Sequence, residues 1–281
     1  FRSYAQHIIS MLDDADEYVR LEAIEALGQM RPHVLAKYAP KIVTRLDDDD
    51  ECVREGIIQV LGKLKPQVLA KYAQHIIPML DDDYDDEFED GCTVRQTAIE
   101  VLGKMNPQVL ARYANHITPS LNDEDWCVQQ MTIRVLGKLK PHVLAMYAQN
   151  IIPKLGHEVE YLRREAIEAL GKLEPQVLAR YAQEIIPRLD DEDWTVCNTA
   201  QATLEKLPLL ALVPHRHALQ YRLAKAASLR GRVWLVRWRQ LFWGQKLLWW
   251  WHSVVWMPGS RQAIATACEF YKRANRVKVE W

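Results

Sequence analysis

The fold class predicted by the sequence is all-α: an α-solenoid of about six helix-pair repeats, followed by a basic, tryptophan-rich helical extension. Three observations predict it. A Leu-Gly pair recurs at Leu27, Leu61, Leu102, Leu136 and Leu170, at equal steps except for a longer one between Leu61 and Leu102. Self-similarity at such a period, roughly 34 residues, marks stacked supersecondary units. Apolar residues inside each unit fall at helical spacing. Charge and aromatic content then change abruptly near Leu207.

The first helix of a unit opens on a proline at a fixed offset after each repeated Leu, at Pro32, Pro66, Pro107, Pro141 and Pro175. Proline suits that position because its missing N–H would be unpaired there in any case. A Val-Leu-Ala triplet and a Tyr-Ala pair follow, at Tyr38, Tyr72, Tyr113, Tyr147 and Tyr181. In one unit Val68, Leu69, Tyr72, Ala73, Ile76, Ile77 and Leu80 form a single apolar stripe, as expected for a helix with one buried face. Pro78, Pro119, Pro153 and Pro187 stand near the end of this helix and should bend it, since each removes a bond to the carbonyl four back. A turn rich in Asp comes next, supplying capping oxygens and negative charge where the second helix has free N–H groups. The second helix reads Val53, Ile57, Ile58, Leu61, Leu64, again one apolar face. A sixth unit reaches Leu204, where Glu205 stands in place of Gly and Pro208 arrives one position early, so the array should close there.

An Asp, then an Arg six positions on and preceded by Val, occur at Asp14 and Arg20 and at Asp48 and Arg54. With the helix-pair grammar, this pattern resembles the HEAT-like repeats, including those of the phycocyanobilin-lyase type, over about residues 2–207. The resemblance implies right-handed stacking, with an Asp–Arg ladder joining units and second helices lining the concave side. It also implies departures: Glu89 would serve Arg95, Gln129 replaces the Arg after Asp123, His157 replaces the Asp before Arg163, and Cys197 replaces the Arg after Asp191. The ladder is therefore expected to weaken toward the C-terminal half.

Three columns vary between units at i, i+4 and i+7, one face of the second helix opposite its apolar stripe. From them Tyr18, Glu22, Glu25, Gln59, Thr97, Glu100, Met131, Arg134, Tyr161, Glu165 and Glu168 are the candidate partner-binding residues. Solenoids commonly bind along such a face; the alternative is a solvated face that varies freely. The longer step, from Leu61 to Leu102, contains an insertion within 81–93, in which Asp81 to Asp90 hold eight acids in ten positions. A helix-loop-helix calcium site would need Gly where Asp86 stands and a bidentate Glu where Cys92 stands. The run is therefore read as an acidic docking loop, with Asp82, Asp83, Asp85 and Asp86 around the aromatic anchors Tyr84 and Phe88, or as a merely solvated one.

Residues 1–207 carry 23 Lys and Arg against 35 Asp and Glu, a net −12, and residues 208–281 carry 13 against 2, a net +11. The two parts, a repeat array (1–207) and an extension (208–281), are thus expected to seek different partners or each other. Seven of the ten tryptophans lie between Trp234 and Trp256. Residues 233–257 are long enough for a membrane span, but Arg237, Arg239, Lys246 and His252 interrupt them, and each central cation costs about 2.5 to 3.5 kcal/mol. Trp234, Arg237, Trp238, Arg239, Trp243, Trp249, Trp250, Trp251 and Trp256 are instead read as anchors in a protein interface, with a membrane surface or RNA as alternatives.

Enzyme readings find little purchase. The HEAT-like di-iron hydroxylases need four His-Glu pairs and this chain has one, His157 with Glu158. No catalytic residue of the chromophore lyases maps onto a position here, and an acidic array would repel the phosphates that a DNA glycosylase must approach. His7, His75 and His116 stand a repeat or more apart, and His215 with His217 suits a solvated loop. Cofactor, metal and small-molecule substrate are accordingly expected to be absent. The five cysteines form no C-x-x-C pair and are odd in number, which fits a reducing intracellular compartment, cytoplasmic or organellar. No secretory or transit signature stands at the start of the sequence, which opens on Phe1. The expected role is a non-catalytic scaffold or adaptor holding protein partners within a larger assembly, with a membrane surface as one candidate setting. The alternatives are an RNA-binding subunit of a ribonucleoprotein and a HEAT-like chromophore lyase.

Overall fold

A computed structural model describes residues 2–82, 94–215 and 218–219, and every described element is helical. The chain falls into two compact units, Phe1–Leu178 and Ala179–Trp281. The first unit holds helix pairs α1 (Arg2–Met11) with α2 (Glu17–Gly28), α3 (Pro32–Ile42) with α4 (Glu51–Leu61), and α5 (Pro66–Leu69) and α6 (Ala73–Ile76) with α7 (Val94–Leu102). It continues with α8 (Pro107–Ile117) and α9 (Trp126–Leu136), α10 (Pro141–Ile151) and α11 (Glu160–Leu170), and ends in α12 (Pro175–Leu178). The second unit contains α13 (Ala182–Ile185), α14 (Trp194–Leu204) and α15 (Leu209–Leu212). The helix-pair pattern thus extends to Leu204, close to the compositional change at Leu207.

The expected prolines begin the first helices, and Pro78, Pro119, Pro153 and Pro187 do more than bend them. Each lies at the start of a 3₁₀ segment, Ile77–Asp81, Thr118–Asn122, Ile152–Gly156 and Ile186–Asp190. With no N–H to offer the carbonyl four back, the chain tightens to bonds of the i to i+3 kind. Asp16, Asp50, Asp125 and Asp193 cap α2, α4, α9 and α14 by accepting bonds from N–H groups of the first turn. The repeated Leu27, Leu61, Leu102, Leu136 and Leu170 are fully buried, and each such burial is worth about 1.5 to 3 kcal/mol.

Within the first unit the ladder has a definite register. Arg20 donates to the carbonyls of Asp14 and Ala15 in its own turn, and its Nη2 reaches Asp48 Oδ1 at 2.9 Å in the next pair. Arg54 repeats this, holding the carbonyls of Asp48 and Asp49 and both carboxylate oxygens of Asp82, at 2.9 and 3.0 Å. Arg95 holds the carbonyl of Asp82 and the carboxylate of Asp123. The ionic partner is therefore the acid 28 residues ahead, not the one six positions behind. That acid also orders its own turn: Asp48 Oδ1 accepts from Asp50 N and Asp123 Oδ1 from Asp125 N.

This register corrects two expectations. Asp82, rather than Glu89, is the rung acid of the third pair, because the insertion follows the rung instead of preceding it; Glu89 lies outside the described residues. Gln129 and His157 are also not two separate defects. They stand at the rung spacing from each other, so one rung has lost its cation and its anion together. Gln129 Nε2 still holds the carbonyl of Asp123 at 2.7 Å, as the Arg would, but its buried Oε1 has no partner. His157 Nδ1 accepts from Val159 N and so keeps the turn-ordering part of the Asp's work.

A second ladder joins the opposite ends of the second helices. Lys63 Nζ donates to Gly28 O at 2.7 Å, and Lys138 Nζ to Gly103 O at 3.0 Å. Each lysine closes a carbonyl left open at the helix C-terminus, where the dipole favours a cation. The same approach explains the repeated glycine. A Cβ on Gly62 would lie 2.7 Å from Val101 Cγ2, and one on Gly103 would lie 2.5 Å from Val135 Cγ2. Successive second helices pack closer at this point than a side chain allows.

Candidate partner-binding face

At the α2–α4 and α7–α9 joints the two ladders hold neighbouring second helices at both ends, and the candidate face lies between them. Burial sorts the candidate residues on it. Tyr18, Glu22, Glu25, Gln59, Arg134, Tyr161 and Glu168 are exposed, while Glu100 and Met131 are half-buried. Thr97 and Glu165 are buried, at 3% and 8% exposure, and this corrects their place on the face. Except at Glu22 in the first pair, which stays exposed, the column two positions after the ladder Arg turns toward the seam between neighbouring second helices. Thr97 Oγ1 donates to Glu55 Oε1 at 3.2 Å, Glu165 pairs with Arg134 at 3.4 Å, and a Cβ on Gly56 would meet Ile24 at 2.8 Å. Variation in that column therefore reflects packing between repeats.

Of the charged candidates that face solvent, Glu22, Glu25 and Glu168 are acids and Arg134 is a cation. Glu22 and Glu25 line an open cleft of about 890 Å³ with the apolar Ala26, Met30 and Val34. Glu100 pairs with Lys104, just past the end of α7, at 3.1 Å and Glu168 with Arg164 of its own helix at 3.9 Å, both partly exposed. Such pairs are worth only about 0 to 1 kcal/mol, so an incoming cation can exchange with them. The ladder pairs are different: Arg54 and Asp82 side chains are 11% and 10% exposed. Burial alone would push the Arg54 guanidinium down, and its bonds and charge pairing with Asp82 reverse this and raise it.

Asp82 is accordingly held by Arg54 and Arg95 rather than standing free in a docking loop. The other residues read as that loop, Asp83, Tyr84, Asp85, Asp86 and Phe88, lie outside the described residues. So do the tail anchors Trp234, Arg237, Trp238, Arg239, Trp243, Trp249, Trp250, Trp251 and Trp256. Two exposed aromatics of the first unit meet: Trp126 and Tyr161 stack with ring centroids 6.1 Å apart and planes 21° apart. The Arg164 guanidinium lies 5.3 Å from the Tyr161 ring centroid. In the second unit Trp194, the first residue of α14, is exposed.

Neither the lysine ladder nor the role of the glycine follows from the sequence pattern as read above. Their signal is nonetheless present, since Lys follows the Leu-Gly pair at Lys63, Lys104, Lys138 and Lys172. Among the described residues, no group of three or more His, Cys, Asp or Glu is arranged to hold a metal, and no helix is long and apolar enough to cross a membrane. Cys52, Cys127 and Cys197 are free thiols. Burial, then the charges of Asp50, Glu51 and Glu55, push Cys52 up; burial is also the main cause that raises Cys197.

Residues 5–92 match the family model described as HEAT repeats. No curated protein is similar to the chain at a significant level. Solved structures share its fold. An engineered protein is 15% identical, with 84% of this chain and 67% of that one covered and a TM-score of 0.61. A designed armadillo repeat protein in complex with the peptide (KR)4 is 15% identical, with 72% and 98% covered and a TM-score of 0.58. A computationally designed armadillo repeat protein for modular peptide recognition is 14% identical, with 72% and 99% covered and a TM-score of 0.57.

Proposed function

We propose that this HEAT-like repeat protein is a non-catalytic scaffold whose acidic array holds an extended, basic segment of a protein partner along its second helices. The observation that carries the reading is the separation of charges within the first unit. The ladder acids are pinned by arginines at the seam. Glu22 and Glu25 instead face water, and Glu100 and Glu168 have only weak, partly exposed pairs four residues away. A cationic segment would relieve their mutual repulsion, and its aliphatic stems would cover the apolar floor beside Glu22 and Glu25. The designed armadillo neighbour in complex with (KR)4 gives a precedent for this class of ligand on a similar fold.

The extension at 208–281 is proposed, on composition alone, as a second protein contact that leaves the array free for the first. The reading is tested by titrating the full chain with an octapeptide of alternating Lys and Arg. Saturable binding that weakens as salt rises, and that falls when Glu25 and Glu100 are changed to Lys, is the expected result. Equal binding of a Gln-Ser octapeptide, or no binding at low salt, would overturn it.

A further inference from the structure

The joint between α9 and α11 differs from the others in two ways at once. It is the joint whose rung has lost both charges, at Gln129 and His157, and it is spanned by the stacked Trp126 and Tyr161. The stack does some of the missing rung's work. It is not buried in doing so, since Trp126 is 39% and Tyr161 46% exposed. A clamp serving only the joint would gain by turning both rings inward, as the repeats do with their Leu and Ile side chains.

We infer that the Trp126–Tyr161 pair is a docking shelf for a lysine or arginine side chain of the partner segment, an inference that rests on the basic-segment reading above. Two features specify a cation. The Tyr161 ring already carries the Arg164 guanidinium at 5.3 Å, so the stack accepts a flat cation, and the exposed part of the Trp126 ring beside it is the surface that a second cation would meet. The turns that lead into α9 and α11 supply Glu124, Asp125, Glu158 and Glu160 and no lysine or arginine. Asp125 is engaged as the cap of α9 and Arg163 donates to the carbonyls of the α11 turn; a neutral apolar side chain would find the rings alone, whereas a cationic one would also meet the carboxylates of Glu124, Glu158 and Glu160.

The test uses the full chain labelled with 5-fluorotryptophan, the Trp126 signal being assigned by Trp126→Phe, and titrated with the alternating Lys-Arg octapeptide. The Trp126 signal is expected to shift in step with the overall binding curve. Trp126→Ala could also loosen the joint, so it is made in a background carrying Gln129→Arg and His157→Asp, which supplies the missing rung. There it is expected to weaken the octapeptide about two- to five-fold while the unfolding midpoint stays near that of its background. Peptide binding with an unmoved Trp126 signal, or with unchanged affinity in the Trp126→Ala chain, would overturn the shelf and leave the basic-segment reading standing. No binding of the octapeptide to any of the chains would overturn both.

Discussion

At the scale of single residues, the repeated glycine shows how a one-atom constraint is written into successive units. Gly103 is in the ordinary helical region, so it is present for space rather than for an unusual backbone angle. Gly103→Ala would place a methyl 2.5 Å from the buried Val135 side chain, and overpacking of this kind costs about 1 to 3 kcal/mol. At Gly137 the nearest atom is the mobile Lys172 Nζ, at 3.0 Å, so Gly137→Ala should stay within about 0.5 kcal/mol of the parent. Urea midpoints of the two variants, compared under one condition, check this. The sequence makes the glycine visible as a recurrence but not its reason, because the atom that forbids a side chain sits on the following second helix.

At the scale of elements, the ladder sets how much each junction resists separation. Arg54→Ala removes the cation from a carboxylate that stays largely buried, and should cost about 2 to 3 kcal/mol. Arg45, paired with Asp13 in an exposed position, is the contrast: Arg45→Ala should cost no more than about 1 kcal/mol. Thermal unfolding of both variants separates the cases. Supplying the missing rung is the converse experiment. Gln129→Arg alone brings a cation without its anion, and His157→Asp alone brings an anion without its cation. The double variant should therefore be more stable than the sum of the two single changes, with a favourable coupling of about 0.5 to 3 kcal/mol in a double-mutant cycle. A coupling near zero would show that the register seen between Arg54 and Asp82 does not carry across this joint.

The helix pairs, their proline starts and their Asp caps are legible in the sequence because each depends on local spacing within one repeat. The ladder is legible as a set of residue types but not in its register. The Asp and Arg nearest in sequence do meet, though through a backbone carbonyl, and the ionic contact goes to the next unit. Thr97 and Glu165 read as part of the open face for a related reason: periodicity gives the angle of a residue around its own helix, not the position of the neighbouring helix that covers it. The exposed acids, by contrast, need no neighbour to be identified.

At the scale of the molecule, residues 1–207 carry a net −12 and residues 208–281 a net +11, and the proposed function has each part meet a partner of opposite sign. The first unit meets that description with a rigid face. Its structural carboxylates are held by arginines, while Glu22 and Glu25 on α2, Glu100 on α7 and Glu168 on α11 remain open or partly open to water. The measurement that tests this most directly is photo-crosslinking of the full chain with the alternating Lys-Arg octapeptide carrying a benzophenone at either end, the adducts being located by mass spectrometry. The account predicts adducts on the exposed second-helix face, near Glu22 and Glu25, Gln59, Glu100 and Glu168, with the two ends of the peptide labelling different repeats. Adducts confined to the outer first helices, around His75, Arg112 and Met146, would contradict it.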